Sequence, residues 1–130
     1  MADITIVNTK ITALNAIQVL TQTAATEDGA GVAQKFVYTP TGKDNKVCLV
    51  FYNAAAVAIT ATIAAGEGVF GQAAKALTIP ATAAATTVVQ IETGPYMQAD
   101  GTIEISFDSN DAAKKLKTDH ALTVGVIELQ

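Results

Sequence analysis

Short runs in which apolar and polar residues alternate one by one constrain the fold of this chain most. Residues 102–108 read Thr-Ile-Glu-Ile-Ser-Phe-Asp, which puts Ile103, Ile105 and Phe107 on one side of an extended backbone. The same alternation recurs in residues 57–63, 86–92 and 122–126. A period of two is typical of a half-buried β-strand, so these runs predict strands with one face in a core.

Other runs predict further strands. Residues 47–52 read Val-Cys-Leu-Val-Phe-Tyr, which predicts a central strand with both faces covered. Shorter strand candidates are residues 3–7, 35–39 and 77–79. We expect residues 46–52 and 57–63 to form a hairpin around residues 53–56.

Turn-forming residues separate the strand candidates at short intervals. Clusters of Gly, Pro, Asn and Asp fall at residues 27–31, 40–45, 66–71, 94–95 and 100–101. Many short strands between frequent turns predict an all-β fold, an antiparallel β-sandwich of jelly-roll or immunoglobulin-like type. We expect residues 1–26 to form an N-terminal arm or the first strands, and residues 27–130 to form a single sandwich domain.

One short helix is predicted near residues 110–117. Ser109, Asn110 and Asp111 are residue types that cap the start of a helix, and lysines follow toward its end.

Composition excludes several functions. All eight basic residues are lysines and the net charge is -4, which argues against nucleic-acid binding. One cysteine cannot form an internal disulfide, and with one histidine it cannot build a zinc site unaided. No apolar run approaches the ~20 residues of a membrane-spanning helix, and the N-terminus lacks a secretory signal pattern. We therefore expect no cofactor, metal or membrane partner, and either synthesis in a cytoplasm or a mature form that has already been processed.

Residues 66–71 match the dinucleotide-binding pattern G-x-G-x-x-G, and Glu92 lies where a ribose-binding acid is expected. The pattern functions only where a helix begins at its end. Here Pro80 falls inside the segment that such a helix needs, and Thr78 and Ile79 favour a strand. The sequence favours a surface loop that links two strands, and a nucleotide-binding enzyme stays a distant alternative.

The single histidine, His120, follows Asp119, and Ser106 and Ser109 lie near it in sequence. A catalytic triad is defined by geometry that the sequence does not supply, so we expect a solvent-facing loop histidine instead.

Two other features have simpler interpretations than a functional site. Residues 108–111 resemble the start of a calcium loop but lack its oxygen ligand at Ala112 and its glycine at Ala113. Cys48 lies in the most apolar run, which predicts a buried and unreactive thiol.

The order of strands and turns in residues 46–108 is distinctive. A hydrophobic strand ends at Asn53, and Ala-Val-Ala-Ile-Thr-Ala-Thr-Ile-Ala-Ala-Gly-Glu-Gly follows at residues 56–68. Leu-Thr-Ile-Pro-Ala occupies residues 77–81, and Gly-Pro-Tyr-Met-Gln-Ala-Asp-Gly-Thr-Ile-Glu-Ile-Ser-Phe occupies residues 94–107. This half of the chain resembles small structural proteins of tailed bacteriophages, among them capsid decoration (cement) proteins.

The resemblance implies a non-enzymatic virion protein on the capsid exterior that binds and stabilises the lattice of the major capsid protein. The 25 alanines and 18 threonines agree with a weakly charged surface that packs in ordered arrays. The chain could also associate with itself. A phage tail or fibre component, or a small glycan-binding adhesin-like domain, is the alternative. Candidate capsid-contact residues are Ile4, Ile6, Ile11, Leu14, Ile17, Tyr96 and Met97.

Overall fold

The computed structural model of the chain describes residues 3–26, 33–42, 44–80 and 84–129. In these ranges the strands form two packed sheets. The first sheet contains, in spatial order, β1 (Ile4–Thr5), β4 (Gln34–Tyr38), β9 (Ile103–Ser109), β6 (Ile59–Ile63) and β7 (Lys75–Ile79). The second contains β2 (Asn8–Lys10), β10 (Thr123–Glu128), β5 (Val47–Asn53) and β8 (Ala85–Ile91), and β3 (Gln22–Ala24) also pairs with β10.

The predicted all-β class is confirmed, and the two sheets are consistent with a β-sandwich. Most neighbouring strands are antiparallel, but β1 pairs with β4 and β2 pairs with β10 in parallel. The turn predicted at residues 27–31 lies outside the described residues.

The alternating runs have the predicted orientation. Ile103, Ile105 and Phe107 of β9 are fully buried, whereas the residues between them are more exposed. In β8 the less exposed residues are 85, 87, 89 and 91, which include the residues expected from the alternation to face inward, Thr87, Val89 and Ile91. The aromatic rings of Phe36 and Phe51 both contact Phe107 edge-on, and the contact of Phe51 with Phe107 joins the two sheets.

The central position predicted for residues 47–52 is confirmed, because β5 lies between β10 and β8. Val50 faces away from the sandwich core yet is only 4% exposed. Its partner across β10 is Gly125, where a Cβ atom would lie 3.1 Å from Leu20 Cδ1. The chain around Leu20 therefore covers part of this outer face.

The predicted hairpin of residues 46–52 with 57–63 is wrong. β5 belongs to the second sheet and β6 to the first, so residues 54–58 cross between the sheets. Asn53 holds this crossing, because its side-chain amide donates to the carbonyl oxygens of Val57 and Pro80 and accepts from the N–H of Ala55.

The helix predicted near residues 110–117 is also wrong, because this segment forms successive turns. Asp119 Oδ2 accepts from the N–H of Lys115 at 2.8 Å, and the N–H groups of Asp119 and His120 both donate to the carbonyl of Lys115. The bond to Asp119 takes the N–H of Lys115 away from the i to i−4 ladder that a helix over residues 110–117 needs. The segment also has to carry the chain from β9 in one sheet to β10 in the other.

The two open sides of the sandwich differ. On one side the N-terminal chain pairs with the first sheet as β1 and with the second as β2, and Ile6 between them is buried. On the other side the edge strands β7 and β8 are paired within the described residues only to β6 and β5. In the part of the chain that the structure describes, the sandwich is therefore closed at its N-terminal edge and open between β7 and β8.

Candidate interaction surfaces

The loop between β2 and β3, residues 11–21, exposes large apolar side chains. Its two ends are fixed beside β10: the N–H of Ile11 donates to the carbonyl of Glu128 at 2.8 Å, and the N–H of Thr21 donates to Thr9 Oγ1 at 2.9 Å. Between them, the exposed fractions are 79% for Leu14, 97% for Ile17 and 78% for Val19. Such side chains on a segment fixed at both ends are typical of a surface that a partner covers.

The structure divides the predicted contact residues into three groups. Leu14 and Ile17 are exposed on the β2–β3 loop, and Ile11 at its start is half-buried. Ile6 is 3% exposed and belongs to the core, so it is not part of an outer surface. The remaining candidates are half-buried and pack against the core: Ile4, Tyr96 and Met97.

A second apolar surface lies at the tip of the loop formed by residues 66–71. Val69 is 96% exposed and Phe70 is 88% exposed. The N–H of Gly71 donates to the carbonyl of Gly68, which closes a tight turn with Val69 and Phe70 at its apex. We refer to these two residues as the apolar tip. Sequence reasoning singled out this loop for its glycines and missed the two side chains between them.

The same loop does not have the structure of a dinucleotide site. It leads into β7 instead of a helix. The N–H groups of Gly66, Glu67 and Gly71 already donate to the carbonyls of Gln72, Met97 and Gly68. Backbone donors that are used within the protein cannot hold a pyrophosphate, which supports the surface-loop interpretation.

A groove opens between the edge strands β7 and β8. A cavity of about 230 Å³ lies at its end near the apolar tip, and a neighbouring cavity of about 180 Å³ continues it. Leu77 and Val89 line both cavities, and Ile63, Ile91 and Tyr96 line the first. We refer to this feature as the β7–β8 groove.

His120 is buried at the centre of a polar cluster, so the predicted solvent-facing histidine is wrong. Its Nε2 lies 2.8 Å from Ser109 Oγ and its Nδ1 lies 2.8 Å from Asn53 Oδ1. Ser109 Oγ also lies 2.9 Å from the carbonyl oxygen of Asp111. The cluster joins the ends of β5 and β9 to the chain that enters β10, so it connects the two sheets.

The hydrogen bonds of Asn53 determine the tautomer of His120. The amide nitrogen of Asn53 donates to two carbonyls, which leaves its Oδ1 facing His120 Nδ1. An acceptor at that position requires the proton on Nδ1, so we infer that Nε2 of the neutral ring accepts from the Ser109 hydroxyl. Protonation of Nε2 turns this hydroxyl toward the carbonyl of Asp111 instead.

The fold should lose stability as the pH falls through the range in which histidine titrates. Burial lowers the pKa of His120, and Lys114 acts in the same direction, while Asp119 and Asp111 oppose them. The unfolded chain takes up a proton near pH 6.5 and the folded chain only at lower pH, so protonation favours unfolding. We expect the urea midpoint at pH 5.5 to be lower than at pH 7.5.

Two measurements assign this loss to His120. It is the only histidine in the chain, so its ring resonances can be titrated by NMR without ambiguity. A His120→Gln variant should have a nearly constant midpoint over the same range. A wild-type midpoint that is unchanged or higher at pH 5.5, or a folded-state titration at or above pH 6.5, would contradict the prediction.

A buried carboxyl group at the end of β10 was also missed from the sequence. Glu128 is 2% exposed, and its Oε1 accepts from the Tyr38 hydroxyl at 2.7 Å and from the N–H of Thr41 at 3.1 Å. Burial and the adjacent carboxylate raise the pKa of Tyr38. The side chain at residue 128 follows the alternation of β10 into the interior, and these donors satisfy it there.

Other observations concern metals, membranes and the single thiol. Among the described residues, no group of three or more His, Cys, Asp or Glu side chains is arranged to hold a metal ion. That part of the chain also contains no helix long and apolar enough to cross a membrane. Cys48 lies on the outer face of β5 and is half-buried. Its apolar neighbours in sequence predict a fully buried thiol, so that prediction is wrong.

Comparison with protein-family models, with curated proteins and with solved structures yields no match. The described residues define an all-β protein of two packed sheets, with large apolar side chains exposed on the β2–β3 loop and at the apolar tip.

Proposed function

We propose that this chain is a structural protein of a bacteriophage virion, a head decoration protein that binds the outer capsid lattice through the β2–β3 loop. The observation that carries the proposal is the exposure of Leu14, Ile17 and Val19 on a loop whose two ends are hydrogen-bonded beside β10. The resemblance of residues 46–108 to small phage structural proteins is the reason for proposing that the protein belongs to a virion.

The attachment of the loop supports a binding role on energetic grounds. Leu20 lies against Gly125 on the outer face of the second sheet, so the loop is held close to the sheet. A segment fixed in this way has less conformational entropy to lose when a partner covers it. Each copy then needs only a modest interface with the lattice, because a bound array of many copies reinforces the shell collectively.

Binding should depend on the exposed side chains of this loop. The test is co-sedimentation of the purified protein with phage heads assembled without it. We expect saturation at a fixed ratio to the major capsid subunit, and at least about 10-fold weaker binding for Leu14→Ser combined with Ile17→Ser. The matched control is Val7→Ser, because Val7 is also well exposed but lies between β1 and β2, outside the loop.

Three results would overturn the proposal. The first is a wild-type protein that does not sediment with heads, and the second is equal binding by the loop variant. The third is saturable binding to a glycan array without binding to heads, which would favour the adhesin-like alternative. Reinforcement is tested separately, because decorated heads should withstand heating better than bare heads.

A further inference from the structure

The apolar tip exposes two large side chains on a loop that is fixed at its base. The N–H of Gln72 donates to the carbonyl of Pro95 at 2.8 Å, and the N–H of Ala99 donates to Glu67 Oε2 at 2.5 Å. The 3-10 turn beneath it, Gly94–Tyr96, is itself held by Asp44, whose Oδ1 accepts from the Thr93 hydroxyl and the Gly94 N–H. The tip is thus presented in a defined direction with little entropy left to lose on binding.

The β7–β8 groove matches the tip in chemistry and size. Apolar side chains, among them Leu77, Val89 and Ile91, form much of its wall beside a polar rim, and its first cavity has a volume of about 230 Å³. That space is sufficient for a phenylalanine side chain. The tip of the same molecule does not fill it, because Val69 and Phe70 remain almost fully exposed.

We propose that two copies of the chain associate about a twofold axis, with the apolar tip of each copy inserted into the β7–β8 groove of the other. Tip and groove lie side by side in one molecule, since Gln72 and Pro95 at the base of the tip also line the groove. Because the tip lies beside the groove, two copies related by a twofold axis can each insert the tip into the groove of the other. This reciprocal contact gives a closed dimer instead of a filament.

The charges on the rim of the β7–β8 groove and the area of the proposed contact both agree with a second copy of the chain as the partner that fills the groove. Lys75 and Glu92 lie on the rim of the groove and are both exposed, so a twofold partner can oppose unlike charges. Two inserted tips and the two groove surfaces that they cover amount to on the order of 1,000 Å², which is near the lower limit for a specific interface. The contact would also cover the two open strand edges, which otherwise favour uncontrolled pairing.

Sedimentation equilibrium over a range of protein concentrations tests this proposal. We expect a monomer–dimer equilibrium for the wild type and a dissociation constant at least about 10-fold higher for Phe70→Ser. The matched control is Ile17→Ser, because Ile17 is as exposed as the tip but lies on the β2–β3 loop. It should dimerise like the wild type. A benzophenone analogue of phenylalanine at position 70 should crosslink on irradiation to residues of the other copy that line the β7–β8 groove.

Four outcomes would overturn the dimer: a monomer at every concentration, an unchanged dissociation constant for Phe70→Ser, equal weakening by Ile17→Ser, or crosslinks to residues of the other copy that do not line the β7–β8 groove. Because Phe70→Ser alters only the tip and can be tested without heads, the dimer and the head-binding proposal can fail separately. Circular dichroism of Phe70→Ser should match the wild type, since the side chain is 88% exposed and contributes little to folding.

Discussion

Replacing Phe107 by alanine is expected to destabilise the fold by about 3–5 kcal/mol. The Phe107 side chain is fully buried, and its ring centroid lies 5.1 Å from that of Phe36 and 5.6 Å from that of Phe51, both in edge-on geometry. Phe51 belongs to the second sheet, so the substitution removes both apolar burial and a contact between the sheets. A domain of this size has only about 5–15 kcal/mol of stability, so the loss is a large part of the total.

The measurement is the free energy of unfolding in urea, and Phe70→Ala is the matched control. Both substitutions delete the same atoms, but Phe70 is 88% exposed and its loss should change the free energy of unfolding by no more than about 0.5 kcal/mol. The comparison is made at the lowest workable protein concentration, so that association through the apolar tip does not contribute. A loss below about 1 kcal/mol for Phe107→Ala would show that the core does not depend on this ring.

The strands and their orientation could be predicted because alternation is a local signal. A residue in β9 faces inward or outward according to its place in the pleat. Residues 103–107 alternate between apolar and polar side chains in step with this pleat. The central position of β5 was predictable for the same reason, since an apolar strand on both faces must be covered on both. Local pattern therefore gave the fold class.

The pairing of strands could not be predicted in the same way. Residues 46–52 and 57–63 are neighbours in sequence with a short connection between them, which is also the pattern of a hairpin. The crossing of β6 into the other sheet is held by the side chain of Asn53, whose partners Pro80 and His120 are distant in sequence. A local pattern contains no information about such partners.

The same limit explains the errors at His120 and in the candidate surfaces. A histidine beside Asp119 in a turn-rich segment gives no local sign of burial, and here it is buried with Asn53 and Ser109 as its hydrogen-bond partners. Ile6 and Ile17 are the same residue type near the N-terminus, yet one is 3% and the other 97% exposed. The difference arises because the chain crosses from one sheet to the other at Ile6, which only the folded structure reveals.

Asn53→Ala should destabilise the fold by about 3–4 kcal/mol, although the residue is polar and contributes little apolar burial. The substitution leaves four groups without their partner: the carbonyls of Val57 and Pro80, the N–H of Ala55 and Nδ1 of His120. Asn53 is fully buried, so water does not replace these bonds without a change in structure. Urea unfolding at pH 7.5 measures the loss, and Asn45→Ala at an exposed position is the matched control.

A second variant separates lost hydrogen bonds from an empty space. Leucine has nearly the shape of asparagine but can neither donate nor accept, so Asn53→Leu fills the volume and leaves the same four groups unpaired. If the hydrogen bonds hold the crossing between the sheets, Asn53→Leu should be at least as destabilised as Asn53→Ala. Recovery of stability in the leucine variant would mean that the site needs volume alone. Because the His120 ring is held by the same amide, the loss of stability between pH 7.5 and 5.5 should also change in both variants if the cluster acts as one unit.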